Sequence, residues 1–142
     1  MSKVMIVYWS GTGNTEKMAE AIARGAEEKG ATVVCKSVSD ASLDELAGHD
    51  VVAFGSPAMG AEVIEEGEME PFFTSALPSL NGRKVAIFGS YDWGDGEWLR
   101  IWAGRVEGGG ALLVDEGLKI HTEPDDGALA LCRAWGGKLA EA

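Results

Sequence analysis

The chain has 142 residues, 46% of them hydrophobic and 25% charged, which is close to globular averages and enough for one domain with one core. Against 12 Lys and Arg stand 23 Asp and Glu, a formal net charge of −11 that would repel phosphate backbones, so nucleic acid drops out as a partner. The apolar run Val4 to Trp9 is far short of the roughly 20 residues a membrane-spanning helix needs, and no cleavage-type site follows it, so a cytoplasmic protein is expected.

From Lys3 to Trp9 the nearly unbroken apolar run reads as a first strand covered on both faces. Residues 10–15 break it, and Met18, Ala19, Ile22, Ala23 and Ala26 then recur at helical spacing until Gly30. Thr32 to Val38 reads as a second strand, Leu43 to Leu46 as a short helix, and Val51 to Phe54 as a buried third strand ending at Gly55-Ser56-Pro57. A long irregular loop leads to a helix over Glu70 to Leu77 and a fourth strand over Lys84 to Gly89. Trp98, Ile101 and Trp102 share one helical face, and Ala111 to Ile120 supplies an unbroken fifth strand. Ala128, Cys132, Trp135 and Leu139 are spaced to bury one stripe of a closing helix, with Arg133, Lys138 and Glu141 left wet. Strict alternation of strand and helix predicts an α/β fold, a parallel sheet with helices on both faces, over one domain spanning 1–142.

In such a sheet, ligands bind beyond the carboxyl ends of the strands, and three loops there are informative. After strand one come Ser10, Gly11, Thr12, Gly13, Asn14 and Thr15, hydroxyls and an amide on a flexible backbone just before a helix N-terminus. Such a loop suits a compact anion, although a plain capping turn has the same composition. The lysine of a nucleoside-triphosphatase loop is missing, and Glu16 stands where a dinucleotide fingerprint needs its third glycine. The second loop, Ser56-Pro57-Ala58-Met59-Gly60-Ala61-Glu62, combines a thioether, a glycine and a carboxylate. The third, Gly89 to Trp98, sets Tyr91 and Trp93 among Ser90, Asp92 and Gly94. Core packing accounts for Trp98 and Trp102 by their spacing, and fits Trp93 less well than a ligand face does.

Together the Ser10–Thr15, Pro57–Gly60 and Tyr91–Gly94 loops resemble the flavodoxins, single-domain carriers of flavin mononucleotide (FMN), over the whole chain. The resemblance implies a flavodoxin-like three-layer αβα sandwich with a five-stranded parallel sheet in the order 2-1-3-4-5. Flavodoxin is itself the standard example of that order, which therefore comes with the resemblance alone. The unbroken fifth strand resembles the short-chain branch. By the same resemblance, residues 10–15 would hold the ribityl phosphate and Trp9 would shield it, with Ser56 and Ser90 as further polar contacts. Met59 would cover the inner flavin face, Trp93 would stack on the outer face, and Glu62 would accept a hydrogen bond from the flavin N3–H. Asp92 stands where relatives often carry glycine, which bears on the turn and adds a charge near the ring.

The implied function is low-potential electron transfer on non-covalently bound FMN, mainly between semiquinone and hydroquinone, with no catalytic acid or base. Glu62, Glu65, Glu66, Asp92, Asp95 and Glu97 would disfavour the anionic hydroquinone. The resemblance also implies a flip of the Gly60-Ala61 peptide on one-electron reduction, which a glycine makes cheap. Acidic residues would steer electron donors and acceptors with basic docking surfaces, or simply keep a monomer soluble. The alternative function is an FMN-dependent oxidoreductase such as a quinone reductase, disfavoured by a length that leaves little for a substrate site. A receiver-like module would need a carboxylate pair for Mg²⁺ where Tyr8-Trp9-Ser10 stands. Cys35 and Cys132 read as two buried structural thiols, and His49 and His121 as surface or loop histidines, with no metal site expected.

Overall fold

The computed structural model describes residues 2–59 and 62–142. Strand β1 (Lys3–Tyr8) shows why its run is apolar: Met5 and Val7 point into one core and Val4 and Ile6 into another, all fully buried. Strands β3 (Val51–Gly55) and β4 (Lys84–Tyr91) divide in the same way, Val52, Phe54, Val85 and Ile87 to one side, Val51, Ala53, Ala86 and Phe88 to the other. The first side is covered by α3 (Met69–Ala76) and α4 (Glu97–Gly108), the second by α1 (Asn14–Glu28) and α5 (Asp126–Ala140). Strand β2 (Thr32–Ser37) forms the outer edge beside β1, and α2 is the single turn Leu43–Leu46.

All strand pairs are parallel, in the order β2-β1-β3-β4-β5, so the three-layer architecture and its strand order are as expected. The fifth position departs from expectation. Two short strands lie end to end there, β5 (Leu112–Leu113) beside Lys84 and Val85, and β6 (Leu118–His121) beside Phe88 to Tyr91. The chain leaves the ladder between them because Asp115 turns its carboxylate inward. It accepts hydrogen bonds from Gly117 N (2.8 Å), Trp135 Nε1 (2.9 Å) and Lys138 Nζ (2.8 Å). Gly117 then adopts φ 102°, a left-handed conformation that L side chains rarely take.

Smaller corrections concern element ends and faces. Strand β1 stops at Tyr8, β2 gives way to a 3-10 turn at Val38–Asp40, and β4 runs on through Ser90 and Tyr91. Ile101 is 48% exposed, because the buried face of α4 runs through Trp98, Leu99, Trp102 and Val106. Cys132 is fully buried, but Cys35 is only half-buried on the edge strand. Helices α1 and α5 meet backbone to backbone: a Cβ on Gly25 would lie 1.8 Å from the Arg133 carbonyl oxygen, and one on Gly136 2.0 Å from that of Ile22. Among the described residues no helix is long and apolar enough to cross a membrane.

Candidate functional site

The carboxyl ends of β1, β3 and β4 open onto a cleft of about 220 Å³. Trp9, Gly11, Thr12 and Asn14 line it from the first loop, Pro57, Ala58 and Met59 from the second, and Ser90, Tyr91, Asp92 and Trp93 from the third. The three loops singled out from sequence therefore do converge.

In the first loop, the Trp9 amide donates to Gly55 O (2.9 Å), and its indole Nε1 donates to Glu68 Oε1 (3.1 Å). Gly11 lies across that indole, where a Cβ would come within 3.0 Å of the ring. Ser10 Oγ accepts the amides of Gly13 (3.1 Å) and Glu16 (3.2 Å), curling the backbone toward the helix, and its own proton is there to offer an anion. Gly13 caps α1, and the first-turn amides of Asn14 and Thr15 have no intrahelical acceptor. The Thr15 side chain, by contrast, is buried and shares a hydrogen bond with Ser90 Oγ (3.0 Å). Tyr8 donates to Glu16 (3.1 Å), and burial together with that carboxylate pushes its hydroxyl up to about 12.

Ser56 does not reach the cleft. It is fully buried, its hydroxyl donating to Pro57 O (2.9 Å) and accepting from Glu65 N (2.9 Å), while its carbonyl accepts from Trp98 Nε1 (3.2 Å). Ala58 N donates to Ser90 O (2.9 Å), and Met59 and Val63 exchange amide bonds across a tight return (2.8 and 3.1 Å). Gly60 and Ala61, where the peptide flip is expected, lie outside the described residues. The carboxylate of Glu65 is taken up by the amides of Gly67, Glu68 and Met69 (2.7, 2.7 and 2.9 Å) and serves the start of α3, not the cleft.

Glu62 sits at φ 60° and turns inward. Its Oε2 accepts the Trp98 amide at the start of α4 (3.1 Å), whereas Oε1 is buried with no hydrogen-bond partner. A buried carboxylate oxygen without a donor is costly unless something arrives to bond it. Gly94 covers this oxygen at φ 82°, and a Cβ there would lie 2.0 Å from it. Asp92 is not among the residues at positive φ, so its side chain brings no backbone strain to the turn. Trp93 stands 61% exposed over the cleft mouth.

Lys119, which local pattern did not single out, and His121, expected only as a surface or loop histidine, also reach the third loop. Lys119 Nζ donates to Asp95 O (3.1 Å), and His121 Nε2 bonds Asp92 O (2.9 Å). Only the folded register of β6 beside β4 places them there. Among the described residues, no group of three or more His, Cys, Asp or Glu could hold a metal ion.

These residues suit FMN. Amides and hydroxyls meet at a helix N-terminus for the phosphate, Met59, Tyr91 and Trp93 supply apolar lining for the ring, and the orphaned Glu62 oxygen under Gly94 is an acceptor suited to a ring N–H. A family profile described as Flavodoxin matches residues 6–136. A flavodoxin of Clostridium beijerinckii is 50% identical over 135 residues, covering 95% of this chain and 97% of its own. One of Megasphaera elsdenii is 45% identical over 139 residues, covering 98% and 99%. The solution structure of the two-electron reduced Megasphaera elsdenii flavodoxin superposes with a TM-score of 0.89 over 98% of this chain and 99% of that one. A flavodoxin structure from the domain Archaea, 35% identical, superposes at 0.90 over 98% and 96%. The chain belongs to the flavodoxin family, FMN-bound electron carriers that hand electrons to and from other redox partners and are not enzymes.

Proposed function

We propose that this chain is a low-potential carrier, a monomeric single domain in the cytoplasm, whose carboxylates around the cleft make the second of the flavin's two electrons the harder one to add. FMN, when bound, supplies the redox chemistry and becomes negative on full reduction; the protein supplies orientation and electrostatics. The observation that carries the reading is Glu62, whose Oε1 is buried and unpartnered under Gly94, the residue next to Trp93 of the cleft lining. Its charge opposes a second negative charge in the same place.

Residues 10–15 would bind the phosphate, chiefly through the Thr12 and Asn14 side chains, which line the cleft, and the first-turn amides of α1, with Ser10 holding the loop's curl. Trp9 would shield it, Met59 would pack on the inner ring face and Trp93 on the outer. Ser90 lines the cleft but shares its hydroxyl with Thr15, so its remaining contact would be modest. Not every nearby acid counts equally. Asp95 and Glu97 are paired with Arg100 (3.1 and 2.5 Å) and Glu65 with backbone amides, which leaves Asp92, in the cleft lining, and Glu62, under Gly94, as the charges that bear most on the ring.

The exposed Trp93 and the acidic surroundings suit brief contacts with basic surfaces on donors and acceptors. Transfer rates that fall with ionic strength support this; flat rates assign the charge to solubility. Potentiometric titration of the FMN-loaded protein tests the reading as a whole. Two separated one-electron midpoints are expected, the second well below the first, and a single two-electron wave refutes it.

A further inference from the structure

We infer that Lys119 and His121 of β6 are positioning residues for the flavin, clamping the carbonyls of Asp95 and Asp92 and so holding both ends of the loop that carries Trp93. The inference rests on the FMN reading of the cleft. Two residues apart on a strand, they share one side of the sheet, opposite to Ile120, which is buried against the α1 and α5 layer. That side faces the turn into α4.

A carbonyl oxygen only accepts, so His121 Nε2 must carry the proton in its 2.9 Å contact with Asp92 O. The imidazole also lies against the Tyr91 ring, centroids 5.0 Å apart, and Tyr91 itself lines the cleft. Behind the histidine, Thr122 holds φ 61°, uncommon for a β-branched residue, with its amide donating to Tyr91 O (2.7 Å) and its hydroxyl to His121 O (2.6 Å). Lys119 lies across Gly96, where a Cβ would sit 2.6 Å from its Nζ, and bonds Asp95 O at 3.1 Å. Arg100 shares the Asp95 end, bonding its carbonyl (3.4 Å) and carboxylate (3.1 Å), so the larger effect belongs to His121. The loop needs such ties because Asp92, Trp93, Gly94 and Asp95 are all exposed and bury little of their own surface.

FMN titration of the apoprotein by flavin fluorescence quenching at pH 8, with potentiometry of the loaded protein, tests the clamp in His121→Ala, His121→Gln and Lys119→Met. His121→Ala is expected to raise the Kd for FMN about fivefold, the worth of one net hydrogen bond, and to shift the second-electron midpoint. His121→Gln, which keeps an N–H donor, is expected to return both to within about twofold of wild type, a rescue that mere packing would not produce. Lys119→Met, at an exposed side chain, should raise Kd about twofold and keeps the test decisive if His121→Ala does not fold. Wild-type binding and midpoints in both His121→Ala and Lys119→Met overturn the clamp, as does equal weakening of the Ala and Gln variants. A wild-type apoprotein that leaves FMN fluorescence undimmed overturns the cleft reading itself and the clamp with it.

Discussion

Replacing Glu62 by glutamine keeps the side chain's shape and removes its charge. The variant's amide oxygen still accepts the Trp98 amide, now bonded at 3.1 Å, so the start of α4 keeps its partner and the apoprotein should lose less than about 1 kcal/mol. The change falls on the other atom: where Oε1 is a buried acceptor awaiting a donor, the variant presents an NH₂. Against a ring N–H this replaces a charged hydrogen bond with a facing pair of donors, a loss of about 1.5–3 kcal/mol, or roughly a 10- to 150-fold rise in the Kd for FMN. For the second electron, a unit charge at about 4 Å is worth about 1 kcal/mol in water and about 4 at an effective dielectric near 20. Its removal should raise that midpoint by roughly 40–170 mV. Fluorescence titration measures the first effect and spectroelectrochemistry the second. Because Oε1 is closed to solvent, most of the midpoint shift should survive high salt. A midpoint within about 10 mV of wild type would refute the electrostatic reasoning, and an unchanged Kd would refute the assignment of Oε1 to the ring.

Gly136→Ala would drive a methyl to 2.0 Å from the Ile22 carbonyl oxygen and should force α5 off α1, costing about 2–4 kcal/mol in a urea melt; a neutral substitution would mean that the helices slide freely. Burial of the Asp115 carboxyl raises its pKa, but the bonds from Lys138, Gly117 and Trp135 outweigh that and hold it below the usual 3.8. A depressed carboxylate contributes stability above its unfolded value and loses it as pH falls through the folded one. The stability gap between wild type and Asp115→Ala, about 1–2 kcal/mol after discounting the exposed Lys138, should therefore be flat from neutral pH to about 5 and close below about 4. Burial pushes the Cys35 thiol up to about 12, helped by Glu20, Glu16 and Glu27, and the Cys132 thiol up to about 11. Neither should react with iodoacetamide at pH 8 until the chain is unfolded, and rapid labelling of the native protein would count against this. Arg105→Met should cost about 1 kcal/mol, since its two bonds to Glu70 (2.7 and 2.5 Å) and its place 5.0 Å over Phe73 join α4 to α3 at a half-exposed site.

The inner strands are legible in the sequence because burial on both faces leaves an apolar run with nothing to confuse it, as in Val4–Val7, Val51–Phe54 and Val85–Phe88. The break in the fifth strand is not, because Asp115 is drawn inward by Trp135 and Lys138, 20 and 23 residues downstream, and local composition carries no trace of them. The three cleft loops stand out because glycine, hydroxyl and aromatic residues are unusual together at strand ends. Residue type does not say which hydroxyls face a ligand: Ser56 and Thr15 spend theirs inside the fold, while Thr12 faces the cleft. Lys119 and His121 carry no signal for a related reason, since their partners are backbone carbonyls, which no side-chain pattern records.

The bond between Thr15 and Ser90, 3.0 Å long and closed to water, ties the start of α1 to the end of β4 across the sheet. It joins the segment meant for the phosphate to the strand that launches the aromatic loop, so both ends of the cradle share a single rigid frame before any ligand arrives. An incoming cofactor then has little ordering left to impose at that seam. Each electron gained or lost would find that seam already in place, which keeps the energetic cost of rearrangement low there.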